Sequence, residues 1–280
     1  MAYTPLKNGF KYDMVTFIKN FLLLLLVSVN LLNISFAQQL QKEVSQQSTS
    51  NEEFISHHQC EKKFEYAVFL AGANVGHYHR VIKWNDIDSK ISAEVSSTGR
   101  ISILWLNSTY AQTSSMLWLP QHNYFITPNF TQRITGIKAR EMNAVTSNEG
   151  TLSTVNLDGE INIYQNNNNP LYDIDTLGAQ IRINLLQNKQ NFILYRQATD
   201  QIKKYHFIVA DKEVINHKKW GELNVIKIKE VGKYNKMVLW FSPKLDYQLV
   251  KAQLDAFISP MIYLTNFIEK CDVRKIIYSE

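Results

Sequence analysis

The chain has 280 residues, 45% hydrophobic and 20% charged, with 10 Gly and 6 Pro. That composition is ordinary for a globular protein and excludes collagen-like, disordered and multi-span membrane classes. The formal charge is +5, but residues 1–37 contribute Lys7, Lys11, Lys19 and Asp13, leaving 27 basic and 24 acidic residues, net +3; so thin an excess makes a poor match for a phosphate backbone, and no nucleic-acid partner is expected.

The apolar run from Phe21 to Val27 follows Lys19 and leads, through Leu31, Leu32 and Ile34, to Ser35-Phe36-Ala37. A positive start, a short apolar stretch and a small-x-small ending describe a secretory signal peptide over residues 1–37, cleaved after Ala37. Met14 is an alternative start that gives a signal of ordinary length. A membrane-spanning helix needs about 20 mostly apolar residues. Ser28, Asn30 and Asn33 interrupt this run and no Lys or Arg cluster follows it, so no stable membrane span is expected after cleavage. No Cys ends the run, so a lipid-modified lipoprotein would lack its acceptor.

Residues 38–59, rich in Gln, Ser and Glu and including His57-His58, read as a flexible linker. From Cys60 onward, short runs alternate between apolar and polar. Phe64, Tyr66, Val68 and Leu70 share one phase, and the stretch from Ala71 to Gly76 supplies a hairpin. Tyr78, Ile82 and Trp84 continue the pattern, and Asn85-Asp86 is expected to turn the chain. Ile91/Ala93/Val95, Tyr205/Phe207/Val209, Asn224/Ile226/Ile228, Met237/Leu239/Phe241 and Val250/Ala252/Leu254/Ala256 repeat it. Such alternation marks antiparallel sheet with one buried face. Leu177, Ile181 and Leu185 are instead spaced four apart behind Asp175, which predicts a capped helix of about three turns. The tract from Gln165 to Pro170 before it reads as a loop. The expected fold is therefore mainly β: one curved antiparallel sheet or half-barrel over residues 60–258, with one helix packed against it. The tail 259–280 fits a short helix as well as a strand.

Phe64-x-Tyr66-x-Val68 followed by Gly72 and Gly76, then Asp175-x-Leu177 with Gln180 and Leu185, Trp220-Gly-Glu-Leu223, and Leu239-Trp-Phe-Ser-Pro243 with Tyr247 and Val250, resemble in order and spacing the bacterial envelope family DUF3108. The resemblance spans residues 60–257. It implies a periplasmic β-rich domain, similar in outline to the half-barrel lipoprotein carriers of the envelope, with a lipid or an envelope protein as partner.

Candidate chemistry is sparse. His77 and His79 are two apart on a strand and so point to one face; that spacing suits two ligands of zinc or copper, with His206 or a carboxylate as the third, or else a solvated pair beside Arg80 and Lys83. No nucleophile elbow, phosphate loop or cofactor-binding motif is present, which points away from an enzyme and names no cofactor. The sequons at Asn107 and Asn129 matter only in a eukaryotic secretory route. The 14 Tyr, 14 Phe and 5 Trp offer rings for a ligand cleft or simply for a core. A ligand site is expected on the face of Tyr66, Val68, Tyr78 and Ile82, closed by the helix. Cys60 and Cys271 bracket the domain, and export places them in an oxidising compartment, so they are expected to form a disulfide.

Overall fold

The computed structural model describes residues 54, 57–87, 90–103, 106–136, 139–232, 237–254 and 259–271. The expected signal peptide, and the linker up to residue 56 apart from residue 54, lie outside them. The chain divides into two units, Met1–Ser56 and His57–Glu280, and the sheet with its helix belongs to the second.

Among the described residues, 16 strands form one large curved sheet that does not close on itself. In chain order they are β1 (Glu61–Leu70), β2 (Ala73–Ile87), β3 (Lys90–Ile103), β4 (Leu106–Leu119), β5 (Tyr124–Ile126), β6 (Asn129–Gly136), β7 (Arg140–Thr146), β8 (Leu152–Leu157), β9 (Glu160–Gln165) and β10 (Leu171–Tyr172). Helix α1 (Ile174–Leu186) follows, and then β11 (Asn191–Gln197), β12 (Ile202–His217), β13 (Gly221–Glu230), β14 (Met237–Ser242), β15 (Gln248–Leu254) and β16 (Met261–Lys270). The spatial order runs β10-β11-β12-β13-β14-β15-β16-β1-β2-β3-β4-β6-β7-β8-β9, with β5 paired to β4. Neighbours are antiparallel except for the short parallel pair of β10 with β11.

Alternation made these strands legible, and burial follows it: Phe64, Tyr66 and Val68 of β1 are buried, as are Ile82 and Trp84 of β2 and Ala93 and Val95 of β3. The β1–β2 hairpin turns at Ala71-Gly72, whose φ values of 47° and 85° belong to a two-residue loop. Gly76 has a different duty. A Cβ there would stand 2.1 Å from the Arg100 carbonyl oxygen, so the β2–β3 pairing admits no side chain at this position.

Three expectations need correction. Asn85 and Asp86 do not turn the chain; they lie within β2, paired with Ser92 and Ile91. Strand β13 buries Leu223, Val225 and Ile228 rather than the 224/226/228 phase, because its alternation resets at Ile226-Lys227, opposite a register shift between Val209 and Lys212 of β12. The sheet also continues past residue 258. The segment after Pro260 is strand β16, which lies between β15 and β1 and pairs Leu264 with Tyr66. Pairing with distant strands decides here what local spacing left open.

The first and last of the described strands therefore meet mid-sheet. Cys60 and Cys271, just beyond the Glu61–Lys270 pair, are disulfide-bonded with Cα atoms 4.3 Å apart.

Helix α1 lies on the inner face of the sheet. Leu177, Ile181 and Leu185 are 2–4% exposed and pack with Phe192, Leu194, Phe207, Ile228, Leu239 and Phe241. Each such side chain contributes about 1.5–3 kcal/mol on full burial. The helix thus holds to the β11–β14 wing by apolar contact.

Candidate functional site

Asp173 rather than Asp175 caps the helix. Its backbone is extended, and its carboxylate accepts hydrogen bonds from the backbone N–H groups of Asp175 and Thr176, both at 3.0 Å. Asp175 sits in the first turn, where a carboxylate also suits the helix dipole. Both are buried, 1% and 2% exposed, so their remaining lone pairs must find partners within the protein. The opposite wing supplies them. Ser114 Oγ donates to Asp173 at 2.6 Å and Thr127 Oγ1 at 3.1 Å, and Gln112 Nε2 donates to both carboxylates, 2.5 Å to Asp173 and 2.9 Å to Asp175. Ser97 Oγ donates to Asp175 at 3.1 Å, and Arg80 pairs with it, Nε to Oδ1 at 2.9 Å, while also donating to the Asp175 carbonyl from Nη2. Burial, with the neighbouring Asp173 charge, pushes the Asp175 carboxyl above its ordinary pKa even though Arg80, Ser97 and Gln112 pull the other way.

An aromatic row lies beside this cluster. The ring centroids of Tyr66 and Tyr78 are 5.9 Å apart, and those of Tyr78 and Tyr110 are 6.2 Å apart across β3. The two latter rings meet over Gly99, where a Cβ would come within 3.3 Å of the Tyr78 ring. The hydroxyls donate in turn to the Leu249 carbonyl, to Asp175 and to Gln112. Burial raises all three phenol pKa values, and the Asp175 charge adds to it.

A second polar cluster grips the middle of the helix. Asp246 adopts a left-handed backbone, φ 54°, after the short turn Pro243–Leu245, a conformation that Asp tolerates better than most residues. Its carboxylate meets His57, Lys62 and Arg182, the last at 2.6 Å. Arg182 also donates from Nε to the Asp246 carbonyl at 2.8 Å and contacts His58. Burial alone would raise the Asp246 carboxyl; the hydrogen bond from His57 and the charges of Arg182 and Lys62 outweigh it and hold it well below the ordinary carboxylate range. Lys62, 1% exposed, reaches Glu269 as well, at 3.2 Å.

Of the residues expected to line a ligand site, Tyr66, Val68 and Ile82 are buried and Tyr78 is half-buried. Helix α1 is tied to this face through Asp175 and Tyr78. His77 and His79 are exposed on the opposite face, their rings 5.0 Å apart. His206, the suggested third ligand, is on β12, far from β2 in the strand order. Among the described residues, no His, Cys, Asp or Glu completes a convergent triad with the pair; the group that does converge, Cys60, Glu269 and Cys271, has its two sulfurs in the disulfide.

Several positions escaped the sequence reading. Arg80 is adjacent in sequence to the His pair, yet it shares the phase of Tyr78 and Ile82 and faces inward to Asp175; that phase is the available signal. Lys62 likewise shares the phase of Phe64. His57 and His58, read as linker, are fixed by Asp246 and Arg182, at sequence separations of 189 and 124, for which no local signal exists.

Compared with family models, curated proteins and solved structures, the chain finds no match. No helix among the described residues is long and apolar enough to cross a membrane.

Proposed function

We propose that this chain is an exported, non-enzymatic protein that binds an amphipathic component of the bacterial cell envelope between helix α1 and the inner face of β1–β4. The small-x-small pattern at Ser35-Phe36-Ala37 and the Cys60–Cys271 disulfide support export, because such bonds persist in oxidising compartments. The resemblance to the DUF3108 envelope family agrees with it.

One observation carries the binding reading. The N-terminal end of α1 is tied to β2, β3 and β4 through the ion pair and hydrogen bonds of Asp173 and Asp175, whereas Leu177, Ile181 and Leu185 hold the helix to the other wing by apolar packing. Buried charges recover hydration when they separate, which offsets part of the cost of parting them; apolar packing has no such compensation. The polar seam is therefore the side that opens. Lifting it frees Arg80 and the Tyr78 hydroxyl from Asp175, on the face that also carries Tyr66, Val68 and Ile82, an apolar floor with phenol groups. That combination suits a hydrocarbon chain ending in an acidic or polar head.

The test is titration of the mature protein with a fluorescent long-chain fatty acid. Saturable binding is expected, with faster uptake by Arg80→Met because its seam is weakened. If neither protein takes up the probe, the reading fails.

A further inference from the structure

The two edges of the sheet are built differently. Edge strand β10 is two residues long, and Leu171 and Tyr172 are 0% and 2% exposed. Strand β9, at the other end, is six residues, Glu160 to Gln165, regular and without a bulge. Among the described residues it pairs on one side only, with β8. Ile161 and Ile163 are 70% and 68% exposed, and Val145 on β7 is 60% exposed. Proteins usually guard a free edge with Lys, Pro, a bulge or a cover; Glu160-Ile-Asn-Ile-Tyr-Gln165 has none of the first three.

Hairpin geometry fixes which backbone groups are free. Leu157 and Glu160 flank the two-residue turn Asp158-Gly159, with φ values of 53° and 96°, so this closing pair is hydrogen-bonded and pairs alternate from there. The amides and carbonyls of Glu160, Asn162 and Tyr164 face β8, and those of Ile161, Ile163 and Gln165 face outward. An antiparallel partner must set its own outward groups against these. For a second β9, the two-fold registers centred on residue 161, 162, 163 or 164 do so, the last setting Ile163 against Gln165. Centring on 161 sets Ile163 against Gly159, and centring on 163 sets Ile161 against Gln165. Centring on 162 alone sets Ile161 against Ile163 twice over, each pair exchanging two backbone hydrogen bonds, with all four isoleucines on one face. The strand is complementary to itself, as a two-fold interface requires.

We propose that β9 pairs antiparallel with β9 of a second copy of this chain, centred on Asn162, so that the sheets of two protomers run on as one. The inference stands apart from the ligand reading, since β9 lies seven places from β1 and four from β4 in the strand order.

Sedimentation velocity of the mature protein across a dilution series tests it. A dimer is expected, and Ile163→Lys is expected to give a monomer with an unchanged circular dichroism spectrum, because residue 163 projects into solvent. The register has its own test. Asn162 opposes its own copy at a non-hydrogen-bonded site, where Cα atoms stand about 4.5 Å apart, so Asn162→Cys should form an intermolecular disulfide under mild oxidation. Glu160→Cys, whose opposite residue is Tyr164 of the second copy, should not. A monomer at every concentration, a dimer indifferent to Ile163→Lys, or cross-linking through position 160 but not 162 would overturn the proposal.

Discussion

Arg80 and Asp175, 95 positions apart in sequence, form an ion pair of 2.9 Å that ties the first turn of the helix to the second strand of the sheet. Their side chains are 14% and 2% exposed, so either charge without the other is stranded in a poorly hydrated site. Removing one member of a buried pair typically costs about 3–5 kcal/mol, whereas replacing both with apolar residues of similar volume costs far less. Arg80→Met and Asp175→Leu are each expected to lower the urea midpoint strongly. Arg80→Met with Asp175→Leu should lose less than the sum of the two single changes. Additive losses in that double-mutant comparison would mean that the pair does not act as a unit.

Asp246 gives stability a pH dependence of known sign. Its carboxyl pKa is depressed in the folded state by His57, Arg182 and Lys62 against the effect of burial, and Lys62 is shared with Glu269. A depressed acid stabilises the fold fully above its unfolded pKa, about 3.9, and loses that contribution as pH falls through the folded value. The stability gap between the natural protein and Asp246→Asn should thus be wide and constant from pH 7 to 5 and narrow below about pH 4. Denaturant unfolding at a series of pH values measures it, and a gap that grows on acidification would contradict the assignment.

Gly178 sits inside α1, where glycine is a poor helix former. A Cβ there would meet only Arg80 Nη1, at 3.8 Å, an ordinary contact. Gly178→Ala is expected to stabilise the protein by about 0.5–1 kcal/mol, seen as a higher melting temperature. Gly76→Ala, with its clash against the Arg100 carbonyl, should do the opposite.

The Cys60–Cys271 bond closes a loop of 211 residues in sequence. Chain-entropy arithmetic puts its contribution at about 5 kcal/mol, an upper figure because residual structure in the unfolded chain reduces it. Replacing both residues with Ser should lower stability by a few kcal/mol. On a denaturing gel the natural protein should migrate faster without reductant than with it, and the double variant should not respond to reductant.

The strands around Tyr66, Ile82, Val95 and Phe207 were readable because alternation is a local property of a half-buried strand. The helix was readable from Leu177, Ile181 and Leu185 for the same reason. Its cap was misplaced by two positions, since Asp173 and Asp175 are equally good capping side chains and only backbone geometry separates them. The fate of Met261 to Lys270 depended on β1, about 200 residues earlier (Glu65 and Asn266 are partners), and no window on the sequence contains both. The polar clusters were hidden for a related reason. Lys62, Arg80 and Arg182 look like surface residues until the carboxylates that neutralise them are brought in from distant strands and turns. The Cys pair was legible because only one intramolecular pairing existed.

The most direct measurement is native mass spectrometry of the mature protein isolated from the cells that make it. The expected spectrum shows the disulfide-bonded chain beginning at Gln38 with an added mass that is lost on gentle activation and matches an envelope lipid or related amphiphile. A chain that still carries residues 1–37, or one found at its bare sequence mass however gently it is ionised, would contradict an exported carrier of an amphipathic ligand.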